Sequence, residues 1–583
     1  MTTSGNRPSG RGPDTPPGPD DPLRGAVQDW LAADPDPDTR AELADLRDRG
    51  AWDELAARFA GRLTFGTAGL RAELGAGPLR MNRLVVRQAA AGLVRYLQDG
   101  GCAEPLVVVG FDARHKSDRF AADTAAVVAA AGGRAVVFDR PGPTPLLAFA
   151  LRHLGADAGV MVTASHNPPA DNGYKVYLAD GAQIVPPADT AIAAHIAGAG
   201  LDVPVAADGD PAVTVLPVAV EQAYREEVVA QLAPGGRREV RIAYTALHGV
   251  GTHPAIEVFA AAGFPPLHLV AAQADPDPDF PTVAFPNPEE PGALDAGLAV
   301  ARAVDADVLL ANDPDADRLG VAVPVGTGAS AGSGQGEWRV LTGNEIGVLL
   351  ADHLLRHRDV TGERLVVTTI VSSRLLARLA ADEGVHYAET LPGFKWIIRP
   401  ALAHPDWRFV LGYEEALGFS VGSSVRDKDG IAAALVFAEL VATLRAEGRT
   451  VCDRLEELAR RHGLHATLGF SLRFGSGPEG AARAADAVAS VRVNPPASLG
   501  GRRVVSVEDL AARPAPTTDA LVCLLDDGGR VVLRPSGTEP KLKLYLEVVE
   551  PVPAGGDRGE ASSAASTRLA ALRADLEALL RRA

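Results

Sequence analysis

Residues 160–177, VMVTASHNPPADNGYKVY, contain side chains that could carry out group transfer. An apolar, strand-like run ends at Ser165 and His166, and the two prolines that follow prevent a strand or helix from continuing. A serine on such an exposed loop can be a nucleophile, although a turn or N-cap serine fits the same pattern. His166 either binds substrate or fills the loop. Lys175, which follows an Asn-Gly turn, could fold back beside Ser165 and serve as an acid or base.

The stretch ANDPDADRLG places Asp313, Asp315 and Asp317 at alternate positions directly after the apolar run ADVLL. Three carboxylates this close repel one another unless a cation lies among them. An EF-hand loop also begins D-x-D-x-D, but it requires Gly and Glu where this chain has Arg318 and Pro324. Because oxygen ligands favour Mg²⁺, the spacing predicts a magnesium site, with a solvated acidic turn as the alternative.

Two further segments contain groups suited to sugars and phosphates. In GYEEALGF, Glu414 and Glu415 follow an apolar strand, where carboxylates can accept hydrogen bonds from sugar hydroxyls. Taken alone, the pair also fits a helix N-terminus. The segment RPSGTEPKLK combines a guanidinium, two hydroxyls and a glycine in one turn, which suits a phosphate and is also compatible with an ordinary polar turn. Its candidate ligands are Arg534, Ser536, Gly537 and Thr538.

Alternating apolar strands and helical stretches must position these groups. This alternation runs through residues 80–215, 240–323 and 341–419 and implies parallel βαβ units, whose active groups lie at the carboxyl ends of strands. After about residue 465 the pattern changes to strands with long loops, and an amphipathic helix over 567–582 closes the chain. The sequence therefore predicts an α/β protein of four domains, in which three similar mixed-sheet domains and a smaller α+β C-terminal domain surround a central cleft.

The domain limits follow from these changes of pattern. Since 583 residues far exceed the size of one core, several domains are expected. The segment that begins the chain is rich in Pro, Gly and Asp, and a pair of helices is predicted over 23–60. The predicted units are a disordered tail over 1–22, N-terminal helices with the serine domain over 23–215, a metal-binding domain over 216–335, a sugar-binding domain over 336–464, and a phosphate-binding domain with the C-terminal helix over 465–583.

The overall charge and the cysteines exclude some classes of protein. The net charge is −17, so a nucleic-acid partner is not expected and an anionic substrate must be held by local cationic groups. The three cysteines are widely separated in the sequence, as expected for a protein in a reducing compartment, where disulfides are rare. The sequence contains neither a signal-peptide pattern nor an apolar run long enough to span a bilayer. We therefore expect a cytoplasmic protein with small-molecule partners, while its oligomeric state is not determined by the sequence.

The combination of these segments resembles the α-D-phosphohexomutase superfamily over roughly residues 50–550. The motifs that carry the resemblance are TASHNP, DPDADR and RPSGTEP, which are specific when they occur together. FGTAGLR, which ends at Arg71, LPGFKW, which contains Lys395, and GYEEALGF are similar to the phosphoglucomutase 2 and phosphopentomutase branch. One departure is Ala416, because several family members have a serine at this position, two residues after the sugar-binding glutamate.

The resemblance implies a mechanism. Ser165 would carry a phosphoryl group, and its phosphate and the carboxylates of Asp313, Asp315 and Asp317 would hold Mg²⁺. The family's general acid/base matches Lys175, and a sugar 1,6-bisphosphate would act as intermediate and priming activator. The remaining matches are Arg71 and Arg318 near the catalytic phosphate and His166 and Lys395 in the active site. Glu414 would bind the sugar hydroxyls, and Glu415 would compensate for the hydroxyl that Ala416 lacks. The distant phosphate would be bound by Arg534, Ser536, Gly537 and Thr538.

The expected activity is a reversible, intramolecular phosphoryl transfer between the 1- and 6-positions of a hexose phosphate, most simply glucose. Mannose phosphates and the conversion of ribose or deoxyribose 1-phosphate to the 5-phosphate are alternatives within the same class. A sugar-phosphate phosphatase and a non-catalytic sugar-phosphate-binding protein are the alternatives outside it.

Overall fold

The computed structural model describes residues 21–325, 336–358, 362–475, 477–514, 516–535, 541–553 and 558–582. Their strands form four sheets that follow one another along the chain. The first three sheets are mixed and the fourth is antiparallel. The predicted fold class is therefore confirmed. Within these residues, no helix is both long and apolar enough to cross a membrane.

The described chain begins with three short helices where the sequence predicts two. They are α1 (Pro22–Ala33), α2 (Pro37–Asp48) and α3 (Trp52–Arg58). Asp21 and Asp36 cap the first two, and a proline at the start of each helix supplies a fixed φ without leaving a donor unpaired. A turn at Gly50, which has a positive φ of 75°, separates the second helix from the third. Helix α1 begins at Pro22, the last residue of the predicted tail, and the tail itself stays a prediction.

The first sheet has the order β1-β5-β4-β2-β3-β6. Strands β2, β3, β4 and β6 are parallel, and β5 is antiparallel to β4. The strands are β1 (Leu70–Glu73), β2 (Leu106–Phe111), β3 (Arg134–Val137), β4 (Ala158–Val162), β5 (Asp171–Leu178) and β6 (Val213–Val215). The helices are α4 (Arg83–Asp99), α5 (Ser117–Ala130), α6 (Thr144–His153) and α7 (Ala188–Gly198).

The second sheet has the order β11-β10-β9-β7-β8. Its strands are β7 (Ile242–Thr245), β8 (His268–Leu269), β9 (Val308–Ala311), β10 (Gly320–Pro324) and β11 (Trp338–Val340), and its helices are α8 (Val218–Val229), α9 (Thr252–Ala261) and α10 (Asp295–Ala303). Strand β11 pairs antiparallel with β10, so the second sheet extends past the predicted limit at residue 335. The exact domain limits stay a prediction.

The third sheet has the order β13-β12-β14-β15. The strands are β12 (Arg364–Thr369), β13 (His386–Thr390), β14 (Arg408–Glu414) and β15 (Gly418–Val421). The helices are α11 (Gly343–His357), α12 (Leu375–Asp382), α13 (Phe394–Ile397), α14 (Arg399–Ala403), α15 (Gly430–Ala446) and α16 (Val451–His462). Helix α15 is apolar around nearly its whole circumference and is buried, as expected for a helix inside a large core.

The fourth sheet has the order β16-β21-β20-β19-β18-β17. The strands are β16 (Leu464–Arg473), β17 (Ser498–Leu499), β18 (Arg502–Asp509), β19 (Leu521–Leu525), β20 (Arg530–Pro535) and β21 (Lys541–Glu550), and the helices are α17 (Gly477–Val493) and α18 (Arg558–Arg582). Helix α18 begins nine residues before the predicted start at 567, because Ala561 and Ala565 continue the buried face of Leu569 toward the N-terminus.

Three loops meet where central strands of the first three sheets end. Ser165 follows β4, residues 312–317 follow β9, and Glu415 follows β14. Backbone hydrogen bonds connect the segment after β9 to the first and third domains: the Thr144 N–H, at the start of α6, donates to the Asp315 carbonyl over 2.9 Å, and the Leu319 N–H donates to the Leu417 carbonyl, before β15, over 3.1 Å. The fold therefore brings segments far apart in sequence into one place.

Close packing of residues 249 and 250 against Pro314 also fixes the 312–317 loop. The Val250 N–H donates to the Pro314 carbonyl over 2.9 Å, and a Cβ on Gly249 would lie 2.3 Å from the Cα of Pro314. We expect Gly249→Ala to lower the free energy of unfolding by about 1–3 kcal/mol, because an added methyl group must displace backbone. Chemical denaturation measures this change. Gly198→Ala, where a Cβ would meet nothing within 4 Å, is the control, and equal stability of the Gly249→Ala variant and the wild type would contradict the packing described.

Candidate active site

Ser165 lies at the turn after β4 in the left-handed region, with a φ of 53°. Its hydroxyl donates to Asp313 Oδ2 over 2.7 Å and lies 3.2 Å from His166 Nδ1. The Thr163 hydroxyl accepts from the Ser165 N–H over 2.8 Å and helps to hold the turn. The sequence suggests an exposed hydroxyl, but Ser165 is only 3% exposed, because the loop after β9 covers it.

The side chains of Asp313, Asp315 and Asp317 are fully buried and close together. One carboxylate oxygen from each lies within 4.8 Å of the others. Within the described part of the chain, Asp315 Oδ1 and Asp317 Oδ1 have no hydrogen-bond partner. Buried carboxylate oxygens without donors are costly, and hard divalent cations bind such oxygens. The three residues therefore fit a metal ion.

Two lysines and one arginine balance this negative charge. Lys175 donates to Asp315 Oδ2 over 2.6 Å and to Asp317 Oδ2 over 2.8 Å. The Lys428 ammonium lies 3.2 Å from Asp317 Oδ2. The Arg318 backbone N–H donates to Asp313 Oδ1 over 2.9 Å. Its guanidinium has Nε 4.0 Å from Asp317 Oδ1 and donates to the Ala416 carbonyl. Arg318 therefore connects the acidic loop to the Glu414–Glu415 loop.

The pKa values of the carboxyls respond to these neighbours. Burial raises the pKa of Asp313 well above its usual range, and the charges of Asp315 and Asp317 add to the rise. Burial also acts to raise the pKa of Asp315, but the Lys175 ammonium outweighs it and lowers that pKa. The pKa of Lys175 is raised, because its two carboxylate partners outweigh the opposing effect of burial. Lys175 is therefore held in its charged form.

His166 and Arg71 lie beside Ser165. Burial is the largest cause that lowers the pKa of His166 to about 2, and the positive charges of Arg318 and Arg71 act in the same direction. His166 is therefore neutral near pH 7. The Arg71 guanidinium donates to Asn167 Oδ1 over 3.0 Å, which places it at the serine loop.

Glu414, the last residue of β14, and Glu415, which follows it, have different surroundings. Glu414 Oε1 accepts from the Gly393 N–H over 2.7 Å. Glu415 Oε2 instead accepts from the Ser372 hydroxyl over 3.1 Å, and burial raises the pKa of Glu415 to about 7, with a smaller contribution from Glu414. Glu414 and Glu415 do not begin a helix, which was the alternative interpretation of this pair, since the next element is strand β15.

Lys395 and Arg534 extend the site toward the third and fourth sheets. Lys395 donates a hydrogen bond to the hydroxyl of Thr67, in the FGTAGLR segment. Burial lowers the pKa of Lys395 to about 8, and the charge of Arg534, at the end of β20, acts in the same direction. The predicted phosphate ligands Ser536, Gly537 and Thr538 lie outside the described residues.

The sequence analysis missed Thr144 and Arg114. The Thr144 hydroxyl donates to Asp315 Oδ2 over 2.6 Å. The buried Arg114 guanidinium donates to the backbone carbonyls of Ser165, Asn167 and Pro168 over 2.6, 2.5 and 2.7 Å. GPTP and FDAR, the segments that contain them, are too short and common to signal these contacts, which appear only once the loops are folded together.

Four family models match the chain in order. Those described as phosphoglucomutase/phosphomannomutase alpha/beta/alpha domains I, II and III match residues 62–201, 222–326 and 342–462, and the model of the C-terminal domain matches 489–554. The fold is also similar to that of a solved phosphoglucomutase/phosphomannomutase family protein from Burkholderia thailandensis, with a TM-score of 0.65 and 20% identity over 88% of this chain and 97% of the other.

Three relatives align over most of their length. A protein named "Probable phosphomannomutase" from Haemophilus influenzae is 42% identical, over 82% of this chain and 95% of its own. A "Probable phosphoribomutase" from Schizosaccharomyces pombe is 37% identical, over 90% of this chain and 93% of its own. A "Phosphoglucomutase" from Staphylococcus epidermidis is 34% identical, over 83% of this chain and 90% of its own.

The family models and the named relatives show an isomerase of the phosphosugar mutase class, and the four sheets and the serine beside an acidic triad fit that class. The chain belongs to the phosphoglucomutase/phosphomannomutase family, which confirms the superfamily predicted from the motifs. Family membership favours the mutase over the phosphatase and the non-catalytic binding protein.

Because Arg114 holds the serine loop through three carbonyls, its loss should misplace the Ser165 hydroxyl. We expect Arg114→Met to lower kcat by about 10–100-fold while KM changes less than about threefold, since the substrate-binding groups stay in place. Arg114→Lys, which keeps the charge, should recover part of kcat. Arg119→Met, on the exposed side of α5, is the control. A kcat like that of the wild type in Arg114→Met would show that the loop does not need this guanidinium.

Proposed function

We propose that this chain interconverts glucose 1-phosphate and glucose 6-phosphate by moving a phosphoryl group through Ser165. The observation that carries the proposal is the 2.7 Å hydrogen bond from the Ser165 hydroxyl to Asp313, inside a cluster of three buried carboxylates. A serine that only formed a turn would gain nothing from this environment. A phosphoserine, in contrast, carries close to two negative charges and needs a cation beside it.

Each half-reaction breaks one P–O bond and forms another. The phosphoryl group passes from Ser165 Oγ to a free sugar hydroxyl, the proton of that hydroxyl ends on Ser165 Oγ, and a sugar 1,6-bisphosphate results. The other phosphoryl group of the bisphosphate then returns to Ser165. Lys175 is the proposed acid and base for this proton, which is supported by its buried position in the same cluster.

We infer that Asp313, Asp315 and Asp317, together with a phosphate oxygen on Ser165, hold Mg²⁺. The ion would withdraw negative charge from the transferring phosphoryl group. The two carboxylate oxygens without hydrogen-bond partners support this assignment. Arg318 and Arg71 are proposed to bind the same phosphoryl oxygens, and His166 and Lys395 to line the site.

The sugar and its second phosphate would occupy the groups from the third and fourth sheets. We propose that Glu414 and Glu415 bind the sugar hydroxyls and that Arg534, Ser536, Gly537 and Thr538 bind the distant phosphate. A few contacts must serve a sugar that reverses its orientation between the two transfers, so most of them should recognise features common to both ends. A sugar 1,6-bisphosphate is the proposed priming activator, because it can phosphorylate Ser165.

Two other sugars remain candidates because relatives carry their names. A relative named for mannose phosphates is 42% identical, and one named for ribose phosphates is 37% identical over 90% of this chain. Ala416 offers no side-chain hydroxyl beside Glu414. We therefore keep mannose phosphates and the ribose or deoxyribose phosphates as alternatives to glucose.

We propose that the chain works in the cytoplasm on small sugar phosphates, without a nucleic-acid or membrane partner. Its three cysteines are free thiols, which suits a reducing compartment.

The substrate is tested by parallel rate assays with glucose 1-phosphate, mannose 1-phosphate and ribose 1-phosphate, each with Mg²⁺ and a trace of sugar bisphosphate. We expect kcat/KM for glucose 1-phosphate to be at least about tenfold higher, which corresponds to roughly 1.4 kcal/mol in transition-state binding. A higher value for mannose or ribose would name that sugar instead. Isomerisation of none of them would contradict the proposal.

Ser165→Ala should abolish isomerisation of every sugar, because no other atom would accept the phosphoryl group. Circular dichroism should show an intact fold. Ser423→Ala, which changes an exposed serine outside the site, is the matched control and should keep normal rates. Near-normal turnover of Ser165→Ala would rule out the phosphoserine route.

A further inference from the structure

A cavity of about 550 Å³ lies between the first and second α/β domains. One wall is residues 138–146 of the first domain, the other is residues 249–258 of the second, and α8 contributes Tyr224. A volume of this size holds a small organic molecule. Phe138, Leu146 and Val258 are among the apolar residues that line the cavity, and none of the residues assigned above to the phosphoryl or sugar sites does so.

The charges at this cavity favour an uncharged occupant. Arg140 is paired with Glu221 at 2.5 Å, and Arg225 is paired with Glu257 at 2.6 Å. Because both lining arginines are already paired with glutamates and Asp275 adds a further negative charge, an anion such as a sugar phosphate would lose its hydration beside three carboxylates and only two guanidiniums. An uncharged molecule with flat apolar faces would replace water against the lining at no such cost.

Both walls of the cavity also hold the 312–317 loop, which contains the proposed metal ligands. From the first wall, Thr144 follows Gly142 and Pro143 and contacts Asp315 through its side chain and its backbone N–H, over 2.6 and 2.9 Å. From the second wall, the Val250 N–H donates to the Pro314 carbonyl. The cavity has its present shape when these hydrogen bonds are made. A molecule that fits this shape therefore favours the conformation in which the loop is fixed beside Ser165.

We propose that this cavity is a regulatory site for a small, uncharged aromatic molecule whose binding strengthens the attachment of Mg²⁺ at Asp313, Asp315 and Asp317. The coupling to Mg²⁺ rests on the proposed function, whereas binding in the cavity does not. Since coupling between two ligands is reciprocal, Mg²⁺ tightens the binding of the aromatic molecule by the same factor.

Indole and indole-3-carboxylate form a matched pair of probes, because they differ mainly in one negative charge. Calorimetry and saturation-transfer NMR on the full-length protein should give a Kd for indole below about 1 mM and at least about tenfold weaker binding of the carboxylate. Ile256, which is 42% exposed and lines the cavity, provides the blocking variant: Ile256→Trp should abolish indole binding. Val218→Trp, an exposed change outside the lining, should leave binding unchanged, and Ile256→Glu is a second blocking variant should Ile256→Trp not fold.

The coupling is measured as the Kd of indole with and without Mg²⁺, and as the Mg²⁺ concentration for half-maximal rate with and without indole. We expect both to fall by about fivefold or more in the wild type and in Val218→Trp. In Ile256→Trp, which should not bind indole, indole should leave the Mg²⁺ concentration for half-maximal rate unchanged. No binding of indole, binding that survives both blocking variants, or equal binding of the carboxylate overturns the site. Binding of indole with no effect of Mg²⁺ on its Kd overturns the regulatory role. Failure of the mutase proposal would appear separately, as absence of turnover in protein that still binds indole.

Discussion

The structure depends on the burial of three neighbouring carboxylates. Asp313, Asp315 and Asp317 have no exposure to solvent, so their charges must be compensated inside the protein. Lys175 comes from the first sheet, Arg318 from the acidic loop itself, and Lys428 from the segment before α15. Because Lys175 and Lys428 come from the first and third domains, whereas the aspartates belong to the second, these ion pairs hold the three domains together at the place where phosphoryl chemistry is proposed. Two carboxylate oxygens still lack a donor among the described residues, which leaves them available to a divalent ion.

This arrangement accounts for the burial of Ser165, the proposed nucleophile. Ser165 adopts a left-handed conformation that non-glycine residues seldom take, and the Thr163 hydroxyl and the Arg114 guanidinium hold the turn. Arg318 then joins the acidic loop to the carbonyl of Ala416 in the Glu414–Glu415 loop. A displacement of any one loop would therefore change the positions of the other two. The reaction therefore requires the whole assembly of domains rather than one of them.

The sequence was informative where function lies in short continuous segments. Ser165 and the aspartates could be predicted because each is next to an apolar strand and has a spacing that chemistry explains. Thr144 and Arg114 could not, because each acts on a loop that is distant in sequence and is reached only through sheet topology. The burial of Ser165 escaped prediction for the same reason, since its cover comes from another domain. The alternation of strands and helices indicated four domains, but it missed β11, whose pairing into the second sheet depends on a strand on the far side of residues 326–335.

The central claim is that one phosphoryl group passes from Ser165 to the sugar and another returns. The most direct test is to phosphorylate Ser165 with radiolabelled phosphate from a sugar 1,6-bisphosphate, remove the excess, and add unlabelled glucose 1-phosphate with Mg²⁺. If the claim is correct, the label leaves the protein at the rate of turnover and appears in glucose 1,6-bisphosphate and then in glucose 6-phosphate. Label that stays on the protein while isomerisation proceeds, or label released as inorganic phosphate at the rate of turnover, would contradict it.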